Sequence, residues 1–439
     1  MRAVVPAVLA ALLSAPTVGR AQTLDTAQRA AAIDSAAALL SARYVFPQVG
    51  RQIADSLRSR LRRGEYDTLG SAVAVARRLS TELNVLSRDG HLRVIAPEAA
   101  RTRGMLAQGA AEDPAVTRAR RAEAARRQNH FFRTYQLMPG NVAFLAFDEF
   151  PLPQPAEPTA AAMMQLLSNA DAVIIDLRAN TGGVEGLNQF LASYFVPDTT
   201  RVLYTRYLRE QDTTMVIRPL ASVPGPRLPE VPLYLLVGGF TASAAENFAY
   251  SMQGIGRATV VGERTAGAAN SSRAFSLPTG LVLNLPVARV VSPYTGTNWE
   301  GTGVQPNVSV PLIAARDSAY TLALRTLLAK ATDSVRRLEL EEALAATAAV
   351  RPFLPTRPLA EYVGTYGNWS IALRDGALVH DFGGGTRPLQ LVPVGHDLFT
   401  SAELPDAAIR FARDRSGRLT DVHVWLPSRR WHHAARRQP

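Results

Sequence analysis

Cysteine is absent from all 439 residues, which excludes a thiol nucleophile, thiolate metal sites and disulfide bonds. Lysine is nearly absent: Lys330 is the only one, so the formal charge of +11 is almost wholly arginine. Aromatic residues are few, and none falls between residues 98 and 130, where much of the arginine lies. A nucleic-acid surface interleaves basic residues with stacking aromatics, so no nucleic-acid partner is expected. Long apolar runs are missing as well. The stretch Ala3 to Ala15 is shorter than the roughly 20 residues of a spanning helix, and no other segment comes closer. It follows Met1-Arg2 and precedes Gly19-Arg20-Ala21, the order of a secretory signal over residues 1 to 21, with a membrane anchor as the alternative. The mature chain is expected to be exported, periplasmic or secreted, with no membrane span.

What is present suits a folded protein of several domains, since 47% of the residues are apolar and the length allows more than one core. Apolar residues recur at helical spacing in three early segments: Ile33 and Leu40; Ile53, Leu57 and Leu61; Val75, Leu79, Leu83 and Leu86. This pattern predicts a helical bundle over 22–97, with Asp25 as a start signal and a break from Gly64 to Leu69. Residues 98–134 read as an Arg/Ala-rich linker, partly helical. From 135 to 313, short apolar runs alternate with helical stretches, the pattern of an α/β domain. The expected strands are Val142–Phe147, Ala172–Leu177, Val202–Leu208, Leu233–Val237, Thr259–Gly262 and Leu281–Val291. Helices are expected at 158–168, 185–195 and 242–253. A helical connector follows over 314–355. Residues 356–430 then read as a small antiparallel β domain, with turns at Asp375-Gly376 and Ser416-Gly417.

Chemistry concentrates at three places in the α/β domain. The apolar strand Leu233–Val237 runs through Gly238-Gly239-Phe240-Thr241 into a helix that starts near Ser243. A serine at a strand-to-helix turn presents its hydroxyl at the sheet edge, and the N–H of the next residue, Ala244, can help to hold a developing oxyanion. The same residues also spell an ordinary capping box, Ser243 with Glu246. Taken alone the spacing favours the cap, and a capping side chain is not free to attack. The second place is Asp176-Leu177-Arg178-Ala179-Asn180-Thr181-Gly182-Gly183, where Gly182 or Gly183 allows close backbone approach and a second oxyanion donor. The third is the loop Asn298 to Pro306, whose Glu300 is able to orient a histidine or a substrate amine, or is simply solvated.

In this order these stretches resemble the tail-specific, or C-terminal-processing, serine protease family. The resemblance also takes in Asp89-Gly90-His91-Leu92, Gly140 to Leu145, Val261 to Gly267 and Glu300 to Pro306. It implies a Clp-protease/crotonase-like catalytic domain. The helical start is similar to that of the branch containing the tricorn core protease and interphotoreceptor retinoid-binding protein. Many relatives place a catalytic lysine just after the Gly-x-x-Thr-x-Gly turn, where this chain has Ala268-Ala269, and there is no room for the inserted PDZ domain. With Lys330 beyond the domain, a serine/lysine dyad is excluded, and histidine is the base whose ordinary pKa suits the task. Only His91 and His130 precede the last domain, and only His91 lies in a matched motif. The tricorn branch supports its histidine with a preceding serine and a later glutamate; here the preceding residue is Gly90, so Glu300 or Asp89 is expected to take over.

The expectation is therefore an exported serine peptidase acting on peptides or unfolded chains, with Ser243 as nucleophile, His91 as base and Glu300 in support. Its oxyanion hole would come from Ala244 with Gly182 or Gly183. No metal or other cofactor is expected, since the spacing of His380, His396, His423, His432 and His433 matches no ligand pattern. A non-catalytic binder of apolar ligands and an esterase using the same site are the alternatives. The sequence leaves the oligomeric state open.

Overall fold

The structure is a computed structural model that describes residues 23–102, 114–349, 355, 357–383, 388–404, 407–426 and 431–438. The signal read over 1–21 lies outside them, as do Gly104 and Gly109 of the linker. The chain divides into two compact units, one comprising Met1–Ser87, Leu92–Gln108 and Ala274–Leu285, the other Arg88–His91, Gly109–Arg273 and Pro286–Pro439.

The first unit is built on helices α1 (Thr26–Arg43), α2 (Pro47–Arg62) and α3 (Ala72–Ser87). Asp25 starts α1 through a capping box, its carboxylate accepting the Gln28 N–H at 2.7 Å. Of the apolar positions that spell the helices, Ile33, Leu40, Ile53, Leu57, Val75, Leu79 and Leu83 are buried, whereas Leu86 is 40% exposed. Gly50 lets α2 approach α1 closely, because a Cβ there would lie 2.4 Å from the Leu40 carbonyl oxygen. Strand β1 (Arg93–Ile95) pairs antiparallel with residues 282–284, and a short helix, α4 (Pro97–Thr102), follows it.

The second unit begins with the turn Arg88–His91 and continues through α5 (Pro114–Arg127), β2 (Phe132–Met138), β3 (Val142–Phe147), α6 (Pro153–Leu167), β4 (Ala172–Asp176) and α7 (Glu185–Phe195). Next come β5 (Tyr204–Leu208), β6 (Thr213–Ile217), β7 (Leu233–Val237), α8 (Ala244–Gly254), β8 (Ala258–Gly262), β9 (Asn270–Ser276) and β10 (Val282–Val291), the last two each partly in the first unit, and β11 (Val308–Ser309). One sheet has the order β11-β8-β7-β4-β3-β2, parallel throughout except at the β2 edge. Alternate residues along its strands face opposite sides, and both sides are covered, which is why the strands read as continuous apolar runs. Leu145, Ile175, Leu235 and Val260 pack with α6, α7 and α8. Phe144, Ile174, Leu236 and Val261 pack with α9 (Leu312–Lys330) and α10 (Ser334–Ala349). The segment read as a connector thus closes the second face of the sheet, and Lys330 sits exposed at the end of α9.

Beyond α10, eight strands pair strictly in sequence order: β12 (Gly364–Tyr366), β13 (Trp369–Arg374), β14 (Ala377–Asp381), β15 (Leu389–Gly395), β16 (Leu398–Ser401), β17 (Ala408–Arg413), β18 (Leu419–Leu426) and β19 (Trp431–Arg436). Every pairing is antiparallel. Asp375 and Gly376 both adopt positive φ in the two-residue β13–β14 turn, at 48° and 77°, as a hairpin turn that matches strand twist requires. The core of this meander, around Tyr362, Tyr366, Phe399 and Phe411, also takes in Ala179 from the loop after β4, and Phe240 from the loop after β7 packs against it.

Candidate active site

Strands β4 and β7 are parallel neighbours, with Val173 opposite Leu233, so the loops that leave their carboxyl ends emerge side by side, where ligands of open α/β sheets bind. Two bonds lace these loops together and a third ties the first loop to β3. Thr241 Oγ1 donates to the Leu177 carbonyl at 2.8 Å and the Ala242 N–H donates to the Asn180 carbonyl at 3.1 Å, while buried Asn180 donates from Nδ2 to the Phe147 carbonyl at 2.9 Å. Arg178 and Asp176 form a buried ion pair at 2.7 Å beneath them, and Arg178 Nη1 reaches the Leu312 carbonyl at 2.8 Å.

Ser243 is the N-cap of α8, and its box with Glu246 is present, the Ser243 N–H donating to Glu246 Oε2 at 2.9 Å. Two features separate it from an ordinary cap. Its backbone stands at φ 53° and ψ −117°, whereas a normal N-cap is extended; a non-glycine residue held there costs about 1–3 kcal/mol. A capping hydroxyl also acts as an acceptor and keeps its own proton to give, so capping and reactivity do not compete as the spacing alone suggests. Gly182 packs directly on this turn: a Cβ there would lie 2.7 Å from Ser243 Cβ and 2.6 Å from the Ala242 carbonyl oxygen. Its N–H, however, donates to Asn180 Oδ1 at 2.9 Å, which removes Gly182 from the oxyanion donors. Among the described residues no acceptor takes the N–H of Gly183 or of Ala244. Gly183 is held by Phe150 on its other side, the Phe150 N–H bonding the Gly182 carbonyl and the Val184 N–H bonding the Phe150 carbonyl, each at 2.7 Å. A mostly apolar cleft of about 410 Å³ opens beside it, lined by Phe131, Phe150, Leu152, Pro155 and Val184.

His91 Nδ1 lies 3.4 Å from Glu300 Oε2 and 3.9 Å from Asp89 Oδ1. Asp89 takes the His91 backbone N–H at 3.0 Å and the Asn270 side-chain amide at 3.1 Å. Burial, and after it the negative charge of Glu300, pushes the Asp89 carboxyl up to about 6. Burial opposes the charge of Glu300 too, yet nearby His91 and the N–H groups of Asn270 and Ala269 hold it below the usual carboxylate range. A Cβ on Gly90 would meet nothing within 4 Å. The link from this cluster to Ser243 runs through the segment after β8. Glu246 accepts the N–H groups of Gly267 and Ala268 at 2.7 and 2.8 Å, and Glu300 Oε2 accepts those of Ala269 and Asn270 at 2.7 and 2.8 Å.

His130 stands apart on a turn at 129–131, where burial and nearby Arg126 lower its pKa. His380 is a core residue set edge-on to Trp369 and tilted against Phe382, and burial brings it down to about 4. Ligand atoms of Asp89, His91 and Glu300 lie within 4.8 Å of one another, the only such trio among the described residues. Glu246, Asn180 and Asn270 were not singled out by their chemistry in the sequence. Only Glu246 carried a signal, its spacing from Ser243.

Two family models match the chain: peptidase family S41 over residues 141–310, and the N-terminal domain of peptidase S41 in eukaryotic IRBP over residues 22–129. Over residues 141–310 the chain belongs to peptidase family S41, and residues 22–129 match that family's N-terminal domain. It is similar to the carboxyl-terminal-processing protease of Picosynechococcus sp., 33% identical over 142 residues, which are 32% of this chain and 32% of the relative. A Synechocystis sp. protease of the same name is 33% identical over 147 residues, 33% of each chain. The matched region thus spans about a third of these relatives' length. Among solved structures, the photosystem II D1 C-terminal processing protease covers 64% of this chain and 93% of its own at 15% identity and a TM-score of 0.43. Mature CPAF covers 74% and 99% at 14% identity and a TM-score of 0.46.

Proposed function

We propose that this chain is an exported serine peptidase of family S41 that cleaves peptides or unfolded chains through an acyl-enzyme on Ser243. The observation that carries the reading is the strained backbone of Ser243 at a strand-to-helix turn, on a sheet edge where a histidine–carboxylate pair is tied to the same loop cluster. In the proposed reaction Ser243 Oγ attacks the carbonyl carbon while His91 takes its proton; the C–N bond then breaks as His91 returns the proton to the leaving amine. Glu300, nearer to Nδ1 than Asp89 is, orients the ring and stabilises its charged form. The N–H groups of Ala244 and Gly183 hold the oxyanion. The apolar cleft beside Gly183 receives a substrate side chain.

Labelling with a fluorophosphonate probe, alongside hydrolysis of an unfolded protein, tests the proposal. Ser243→Ala should abolish labelling, and Ser243→Ala and His91→Ala should each lower hydrolysis by on the order of 10⁶-fold with the melting temperature retained. Full activity in either variant removes the assignment. A native chain that does not label, yet takes up apolar ligands, is instead the binding protein, and one that hydrolyses only esters is the esterase.

A further inference from the structure

Glu246 is wholly buried, and its two carboxylate oxygens accept four donors. Oε1 takes the Thr265 hydroxyl at 2.5 Å and the Gly267 N–H at 2.7 Å; Oε2 takes the Ala268 N–H at 2.8 Å and the Ser243 N–H at 2.9 Å. An ordinary capping glutamate needs only the last of these. Thr265 Oγ1 also accepts the Val304 N–H at 2.7 Å, and the Gly301 N–H donates to the Gly267 carbonyl at 2.9 Å. The segment 265–270 is therefore pinned on one side by Glu246 and on the other by Glu300 and its loop.

We propose that Glu246 is a positioning residue for the reaction: it holds the Ser243 backbone in its strained conformation and fixes it in register with the turn on which Glu300, and through it His91, is seated. This uses the reading of Ser243 as nucleophile for its kinetic arm alone. Both oxygens are required. Glutamine has the same shape, but whichever way its amide is turned, two of the four donors face an NH₂ group that cannot accept. Released from the clamp, Ser243 relaxes toward the extended cap, and a misplacement of about 1 Å costs around 10²-fold in rate.

The test compares the full-length native chain with Glu246→Gln, and with Thr265→Val as a milder variant that removes one donor and leaves the carboxylate. Amide exchange read by mass spectrometry over peptides covering 238–246 and 263–271 reports the clamp without reference to activity. Fluorophosphonate labelling, resolved into a rate constant and a probe affinity, reports positioning. Both variants should exchange faster in the two peptides. Glu246→Gln should also lose about 10²-fold in the labelling rate constant with probe affinity unchanged. A merely structural role lowers the fraction of chains that label and leaves the rate constant of those that do. Unchanged exchange overturns the clamp, and faster exchange with a native labelling rate constant overturns its positioning role. Should the native chain itself fail to label, the peptidase reading falls, while exchange still decides whether Glu246 holds the turn.

Discussion

Asp89 illustrates how single groups are tuned at this site. Its carboxyl is raised to about 6, by burial first and then by Glu300, so its neutral form is the one the fold favours. Stability from this group is full below the unfolded pKa near 4 and is lost as the pH rises through about 6. Asp89→Asn should accordingly gain in melting temperature relative to the native chain between pH 4 and pH 8; a difference independent of pH would refute this. Glu300 behaves oppositely, as its charge is held by His91 and two N–H groups. Replacing Glu300 with Gln should therefore reduce hydrolysis by up to about 10⁴-fold, the scale set by loss of a histidine's orienting carboxylate, with Ser243 still labelling slowly. Labelling and hydrolysis at native rates would exclude Glu300 from the mechanism. Ser243, His91 and Glu300 can be proposed from sequence because each sits in a short run of distinctive neighbours, and the structure places His91 beside Glu300. Glu246 was read only as half of a cap, because spacing reveals the bond to Ser243 but not the three that come from residues about twenty positions away.

The loops after β4 and β7 depend on elements whose sequence was easy to read. Leu233–Val237 and Val142–Phe147 are apolar throughout and were placed to the residue. The strands that escaped, Arg93–Ile95, Phe132–Met138, Thr213–Ile217, Asn270–Ser276 and Val308–Ser309, are edge or partly solvated segments. Their mixed polar pattern gives no period, and what forms them is a partner strand. Helix α6 begins at Pro153 rather than near 158, since a proline in the first turn gives up no hydrogen bond. The tightest requirement at this scale is the ion pair at the end of β4. Arg178→Met would leave Asp176 charged and buried, and should destabilise the protein by about 3–5 kcal/mol. Chemical denaturation measures this, and a loss under 1 kcal/mol would show that the pair is not what holds the loop.

At the scale of the whole second unit, the meander and the loops of the six-stranded sheet share apolar cover, through Ala179 in the meander core and Phe240 packed against it. Composition and turns revealed the meander as a separate β domain, but not this contact, because nothing in the spacing of Ala179 or Phe240 distinguishes a loop residue from one that enters another core. Phe240→Ala should cost about 2 kcal/mol, less than the 3–5 of a fully buried phenylalanine, and should slow labelling of Ser243; an unchanged melting temperature would show the contact to be idle. The arrangement also sets a clock. The meander is translated after the loops that it covers, and although its strands pair with sequence neighbours, a bridge from Tyr366 to Arg437 joins its first strand to its end, so it closes only once the whole chain has left the ribosome. Until then the loop that leads to Ser243 lacks its outer packing. If Ser243 is the nucleophile proposed above, a stalled or prematurely ended chain is expected to react poorly, and ribosome-held chains ending before residue 356 should label far more slowly than chains released whole.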